Sequence, residues 1–353
     1  MGTPLAPLFA VAELPPPPNW ETERHALLAQ RISDIGLEIR GTLLEKLRDQ
    51  LYLELSAKGL QFKPPVYLSD QWGCPDGTPL IGVPFYLADP RLSRIEEDFS
   101  VSVESETDSM RFLRHEAGHA FNYAYRLYDR GDWRKIFGPY SRPYRERYRP
   151  NPFSRNFVRH ILGWYAQKHP DEDFAETFAV WLTPDIDWRR EYDGSGALAK
   201  LEYMDAVMRE VAHQVPEVPE PSEDDLPVSA MQYTVADHYK DAGGAVPLRD
   251  PRIFDGDLRT IFAEEVIATD ALSATEFIAR HRREIVTRIS YWTGENGNAV
   301  RQFVDFLSER SAELRLKAAG LEASILIELT AFGTAVIMNY RYTNAVDRSD
   351  TAN

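Results

Sequence analysis

The stretch RFLRHEAGHAFNYAY, residues 111 to 125, places His115, Glu116 and His119 within five positions. On a helix, residues four apart lie one turn apart on the same face, so the two imidazoles can bind one metal ion. Glu116 lies about 100° around the helix from His115, where its carboxylate can reach a water molecule beside the metal. The pattern therefore predicts two zinc ligands and a general base.

The residues around this pattern have the features of a buried helix. Gly118 costs roughly 1 kcal/mol in a helix interior, which predicts that another element packs closely against it. Asn122, one turn further on, lies on the histidine side and is expected to orient His119 or to bind a substrate carbonyl. Candidate caps are Thr107, Asp108 and Ser109, and the opposite face carries an apolar stripe of Leu113, Ala117, Ala120, Phe121, Ala124 and Leu127.

A catalytic zinc needs a third ligand, and the segment WYAQKHPDEDFAETFAVWLTP, residues 164 to 184, offers several carboxylates. Pro170 suits the start of a helix, and the acids directly after it suit the positive N-terminal end. Glu176 lies deeper, between alanines, and a buried carboxylate is costly unless it is paired or binds a metal. We therefore expect Glu176 to be the third ligand, with Glu172 and Asp173 as alternatives.

Together the two segments resemble the gluzincin branch of zinc metallopeptidases. The chain is similar there to the catalytic domain of anthrax lethal factor and to a bacterial family of zinc-binding metallopeptidases. The resemblance implies one catalytic Zn²⁺ ion with the ligands His115, His119 and Glu176, and Glu116 as the general base. Tyr165 corresponds to a tyrosine that supports the oxyanion in such enzymes, although its spacing to Glu176 is longer than in lethal factor.

A basic segment lies between the two motifs of an otherwise acidic chain. We expect it to border the cleft, with Arg145 and Arg147 either binding a substrate carboxylate or forming internal salt bridges. One of two strand-like segments, 66–69 or more favourably 80–87, is expected to pair with an extended peptide. The segment's arginines are Arg142, Arg145, Arg147, Arg149, Arg155 and Arg159.

Composition limits the other functions. The formal net charge of −15 argues against nucleic acid and against an anionic membrane as partners. Cys74 is the only cysteine, which excludes a disulfide framework. The N-terminus lacks the features of a signal peptide, so a cytoplasmic location is expected by default. The apolar run 323–340 has almost the length of a membrane span, but we expect it to be a core helix.

The chain is expected to be α+β and predominantly helical, with a zincin-like domain that holds a small sheet and a C-terminal all-helical domain. We predict a Pro-rich leader at 1–19, the catalytic domain at 20–215, an acidic Pro-rich linker at 216–226 and the helical domain at 227–353. A long amphipathic helix is expected from Trp20 to about Ser56.

The motifs favour a soluble zinc metallopeptidase that cleaves a peptide or protein substrate. One alternative is an amidase or isopeptidase that uses the same site on a small peptide conjugate. The other is a zinc-stabilised binding protein without turnover, although structural zinc would not need Glu116. The sequence does not indicate the oligomeric state.

Overall fold

Helices make up most of the protein, as the sequence predicts. The computed structural model describes residues 19–99, 103–145, 148–219, 226–240, 251–264, 271–295 and 297–347. Except for its last residue, the leader predicted at 1–19 lies outside these ranges. In chain order the elements are α1 (Trp20–Ala29), α2 (Leu43–Ala57), β1 (Val66–Ser69), β2 (Ile81–Pro84), α3 (Pro90–Phe99), α4 (Glu106–Ala124), α5 (Gly131–Phe137), α6 (Pro170–Leu182), α7 (Trp188–Glu191), α8 (Gly196–Val211), α9 (Val235–His238), α10 (Asp255–Ile261), α11 (Ala274–Thr293), α12 (Gly297–Glu313) and α13 (Glu322–Asp347).

The region expected to form one long N-terminal helix contains two, α1 and α2. Gly36 and Gly41 lie between them with φ of 76° and 79°. This left-handed conformation is easily adopted by glycine and ends a helix. The amphipathic pattern therefore predicts both helices, but it does not indicate the turn between them.

The two strand-like segments form a small parallel sheet. β1 pairs with β2 in a register that places Val66 opposite Ile81. On the strand's next residue, Gly82 exchanges two backbone hydrogen bonds with Gly73, at N···O distances of 2.8 and 3.2 Å. Because β2 has a neighbour on both edges, it cannot be the free edge that a peptide substrate was expected to join. The predicted α+β class with a small sheet is confirmed.

The larger hydrophobic core surrounds α4 and α6 and draws residues from α1 through α9. Val228, Met231 and Val235 are buried in this core, although they follow the predicted linker. A second core is formed by α10 to α13. The division into domains at 216–226 stays a prediction.

Among the described residues, the two lobes around these cores contact each other through polar side chains and through backbone. Arg283 of α11 forms an ion pair with Glu97 of α3 at 2.9 Å. Gly163 and Gly294 approach so closely that a Cβ on either would lie 3.8 Å from the other's Cα. Because neither glycine has a side chain, backbone atoms alone meet at this contact.

Helix α13 is not the core helix that its composition suggested. Its segment Glu322–Arg341 is long and apolar enough to cross a membrane, by length and composition only, with a mean hydropathy of 1.4. Only 22% of this segment is buried. Ile325, Leu329 and Ile337 face the second core, whereas Ile327 is 68% exposed. The helix therefore lies at the surface of its lobe.

Candidate metal centre

Helices α4 and α6 cross at very short range, and this crossing builds the site. Ser105 caps α4 by accepting a hydrogen bond from the Asp108 N–H. At the crossing, a Cβ on Gly118 would lie 2.7 Å from Ala175 Cα and 3.1 Å from Phe178 Cβ. Such distances leave room only for glycine. The close packing predicted at Gly118 is confirmed.

Three potential metal-binding atoms converge where the helices cross. The Nε2 atoms of His115 and His119 lie 3.1 Å apart. The Glu172 Oε2 atom lies 3.0 Å from the first and 3.2 Å from the second. A tetrahedral zinc with bonds of about 2.0–2.1 Å separates its ligand atoms by about 3.3 Å. The donor types and spacing therefore fit zinc, and these three residues form a group that could hold a metal.

Glu176, the expected third ligand, lies elsewhere. Its Oε1 is 3.0 Å from Nδ1 of His115, the ring nitrogen that faces away from the triangle. Its oxygens also accept hydrogen bonds from the backbone N–H groups of His160, at 3.0 Å, and of Ile161, at 2.9 and 3.1 Å. These three donors account for a fully buried carboxylate without a metal. Glu172, one turn earlier, was one of the two alternatives.

A second carboxylate supports the other histidine. Asp171 Oδ2 lies 2.9 Å from His119 Nδ1 and accepts a hydrogen bond from the Tyr123 hydroxyl at 2.6 Å. Its Oδ1 accepts from Asn122 Nδ2 at 2.6 Å. Each histidine thus presents Nε2 to the triangle and Nδ1 to a buried acid, which fixes the ring orientation. The sequence indicates for Asp171 only an acid at the start of a helix, so its contact with His119 is not predicted from it.

The pKa values of the buried histidines and acids at this site depend on one another. Burial opposes the charge of His115, but hydrogen bonds to Glu172 and Glu176 outweigh it and raise the pKa of His115 to about 9. Burial likewise opposes the ionised form of Glu172, yet both imidazoles hold the pKa of that carboxyl well below its usual range. The carboxylate form is also the one that binds a metal ion.

Glu116 faces the cleft beside this triangle. The cleft has a volume of about 600 Å³. Burial raises the pKa of Glu116, and in the part of the chain that the structure describes no group donates a hydrogen bond to its carboxylate. The lining residues other than the triangle and Glu116 are Gln71, Trp72, Gly73, Cys74, Asp76, Tyr123, Tyr140, Arg142, Tyr144, Tyr165, Lys168, His169 and Asp171.

Two tyrosine side chains lie next to the three donor atoms. Tyr165 packs against His115 with ring centroids 5.6 Å apart. The Tyr144 hydroxyl donates to Glu172 Oε1 at 2.5 Å and lies 3.5 Å from the Tyr165 hydroxyl. Lys168 Nζ lies 4.3 Å from the Tyr144 ring centre and 5.1 Å from that of Tyr165. Nothing in the sequence singled out Tyr144, because it lies in an irregular segment without a motif.

The three residues expected to bind substrate take different positions. Asn122 is fully buried behind His119 and does not line the cleft. Arg145 is exposed and does not line the cleft. Arg142 of the same segment does line it. Arg147 lies outside the described residues. Residues 71–74 line the cleft, whereas no residue of β2 does.

The arrangement as a whole has the donors of a zinc hydrolase. Residues 106–189 match a family model described as "Putative zinc-binding metallo-peptidase". The matched region includes α4, α6 and every residue of the triangle. No curated protein and no solved structure matches the chain. The family match and the His-His-Glu group together indicate a zinc-dependent peptidase.

Proposed function

We propose that the protein hydrolyses peptide bonds with a single zinc ion bound by His115, His119 and Glu172. The observation that carries this proposal is the triangle of donor atoms at 3.0 to 3.2 Å, with all three residues lining one cleft. When bound there, zinc would polarise the scissile carbonyl and activate water. Three protein ligands are the number typical of a catalytic rather than a structural site.

Glu116 is the general base of this proposal. It follows His115 directly and lines the same cleft. A raised pKa makes a carboxylate a better proton acceptor, so Glu116 is suited to take a proton from the attacking water. The same group then delivers this proton to the leaving amine.

Glu176 and Asp171 are positioning residues. Each contacts the Nδ1 atom of one histidine and would hold its ring so that Nε2 stays available. The backbone N–H groups that bind Glu176 belong to residues 160 and 161, which precede Tyr165 by only a few positions. Loss of Glu176 would therefore disturb both His115 and the segment that leads to Tyr165.

A tyrosine hydroxyl would stabilise the oxyanion as the carbonyl is attacked. Tyr165 remains our candidate, because its ring packs on His115 and it lines the cleft. With Glu172 in place of Glu176, the interval from Tyr165 to the ligand falls from eleven residues to seven. Tyr165→Phe should lower kcat with little change in KM, whereas Tyr144→Phe should chiefly weaken zinc binding through Glu172. The reverse pattern would exchange the two roles.

The ligand set is tested by measuring zinc per chain in matched variants. Glu172→Gln should lose zinc on dialysis. Glu176→Gln should retain one zinc with roughly 10- to 100-fold weaker affinity, as is typical for loss of a group that orients a ligand. If Glu176→Gln loses its zinc and Glu172→Gln keeps one zinc per chain, the third ligand is Glu176 instead.

The reaction is tested with Glu116→Gln, which should keep zinc and lose cleavage of a mixture of unstructured peptides, followed by mass spectrometry. The same assay on small amides and isopeptide-linked conjugates separates the amidase or isopeptidase alternative. Wild-type protein that holds zinc but cleaves neither class would favour the non-catalytic binding protein.

A further inference from the structure

The cleft beside the metal centre contains a carboxylate that the proposed reaction does not use. Asp76 lines this cleft and is exposed. Its Oδ1 accepts a hydrogen bond from the Tyr140 hydroxyl at 2.6 Å. In the part of the chain that the structure describes, no cation forms an ion pair with Asp76. The side chain therefore brings an uncompensated negative charge to the cleft.

The position of this carboxylate is fixed by the turn that carries it. A backbone hydrogen bond of 2.9 Å closes the turn 75–78, and Gly77 has a φ of 74°, as the third residue of a type II turn requires. The donor Tyr140 is itself held, because its ring stacks on Tyr128 with centroids 4.4 Å apart. A group that is already fixed loses little freedom when it binds a ligand, so Asp76 is well prepared for binding.

The cleft also offers aromatic surface near this charge. Trp72 belongs to the same loop as Asp76, and its ring stacks on Phe112 with centroids 5.7 Å apart. Its Nε1 donates to Glu104 at 3.2 Å, which holds the indole in place. Lysine and arginine have long aliphatic stems that pack on such surfaces, and cationic ends that bind carboxylates and aromatic faces. The combination therefore fits a cation at the end of a long stem.

Asp76 lies on the acidic side of the cleft. Burial raises the pKa of Tyr140, and the charge of Asp171 raises it further, so Asp171 and Asp76 act on the same hydroxyl. Lys168, a cation of the same cleft, lies instead over the two tyrosines beside the metal-binding group. Arg142 is a second cation of the lining and is exposed. A substrate carboxylate bound by Arg142 is the competing interpretation.

We propose that Asp76 determines specificity in the peptide hydrolysis proposed above, on which this inference rests, by binding a cationic nitrogen of the substrate close to the scissile bond. A cleft of about 600 Å³ is about 10 Å across, so this nitrogen belongs to a residue within about two positions of the bond that is cleaved. A lysine or arginine side chain supplies both the charge and a stem for the aromatic surface. An N-terminal ammonium carries the same charge, and the experiment separates the two sources.

The test begins with cleavage of a mixed peptide library by the zinc-loaded wild type, with the products identified by mass spectrometry. Lysine or arginine should be enriched within two residues of the cleaved bond. A peptide pair with lysine or norleucine at that position then measures selectivity, and kcat/KM should be about tenfold higher for lysine. Asp76→Asn should bring this ratio to about one while it keeps one zinc per chain.

Two controls accompany this variant. Asp70→Asn removes the same charge just before the same loop, and Asp70 does not line the cleft, so the ratio should stay near ten. Acetylation of the peptide N-terminus should not change the rate if Asp76 binds a side chain. Loss of cleavage on acetylation, in the wild type but not in Asp76→Asn, would assign Asp76 to the N-terminal ammonium.

Cleavage without a preference for a cation overturns this inference and leaves peptide hydrolysis standing, and so does a preference that survives in Asp76→Asn. A preference for acidic residues that disappears in Arg142→Gln also overturns it. If the zinc-loaded wild type cleaves no peptide, the proposed reaction fails, and calorimetric binding of lysine peptides and their norleucine counterparts decides the role of Asp76. Tighter binding of the lysine peptides that Asp76→Asn abolishes supports that role, whereas equal binding of both overturns it.

Discussion

Replacing Gly118 by alanine tests whether the short approach of α4 and α6 holds the metal centre. The added Cβ would lie 2.7 Å from Ala175 Cα and 3.0 Å from the Ala175 carbonyl oxygen. Carbon atoms in contact normally lie about 3.5 to 4.0 Å apart, so the backbone of α6 must retreat by about 1 Å. No side-chain rotation can relieve this contact, because its nearest partners are backbone atoms.

Two energies act on the stability of this variant. Alanine is favoured over glycine in a helix by about 1 kcal/mol, whereas overpacking costs about 1 to 3 kcal/mol. The free energy of unfolding should therefore change little or fall by up to about 2 kcal/mol. Zinc affinity should suffer more, since a 1 Å retreat carries Glu172 Oε2 from 3.2 Å to about 4 Å from His119 Nε2, beyond the spacing of about 3.3 Å in a tetrahedral shell.

We expect Gly118→Ala to bind zinc 10- to 100-fold more weakly, measured by competition with a chromophoric chelator. Gly131→Ala in α5 is the control, because a Cβ on Gly131 meets no atom within 4 Å. It should bind zinc like the wild type. Unchanged zinc affinity in Gly118→Ala, together with a stability gain near 1 kcal/mol, would show that the crossing does not control the site.

Four further results are expected. Asp171→Asn should weaken zinc binding about 10- to 100-fold in the same competition assay, because His119 Nδ1 loses its charged acceptor. Lys200→Met should lower the free energy of unfolding by roughly 3 kcal/mol in urea at pH 9, where the buried Asp173, bonded to Lys200 at 2.6 Å, is ionised. Burial outweighs Lys200 and raises the pKa of Asp173 to about 7, so this loss should shrink as the pH falls and the acid becomes neutral. Chelation should abolish peptide cleavage and lower the Tm, because zinc at a thousandfold excess over its Kd stabilises the folded state by about 4 kcal/mol. Because the pKa of His115 is raised to about 9, zinc must displace a proton from the site below that pH. The apparent affinity for zinc should therefore fall as the pH falls, by about tenfold per pH unit for each proton displaced. A Kd for zinc that does not change with pH would contradict this.

The sequence predicts the helix pair well because its signals are local. The i, i+4 histidines, Pro170 at the helix start and the glycine at the crossing all indicate features within a few residues of themselves. The helical class and the two short strands follow from periodicity of the same kind. The break between α1 and α2 was missed because the apolar pattern continues across the two glycines.

The choice between Glu172 and Glu176 could not be made from local signals. The two residues lie four apart and share one face of α6. Only the position of α6 along α4 decides which of them meets Nε2 of His115 and which meets Nδ1. Burial of Glu176 does not by itself indicate a metal ligand, because the backbone N–H groups of residues 160 and 161 donate hydrogen bonds to this carboxylate. No sequence motif predicts these bonds. The surface position of α13 was missed for a similar reason, since composition does not reveal how much of a helix its neighbours cover.

The two histidines, both supporting acids and the third donor all come from two helices. The 50 residues between His119 and Pro170 supply none of these groups, although they form part of the cleft wall. That intervening stretch touches the centre at Tyr144, which donates to Glu172, and at residues 160 and 161, whose N–H groups bind Glu176; away from these contacts it can change in length and shape without moving the metal-binding group. A search for other chains with this centre should therefore combine His-Glu-x-Gly-His with a Pro-Asp-Glu helix start and allow any number of residues between the two motifs. We expect substrate preference to vary with the side chains that these intervening residues place along the cleft.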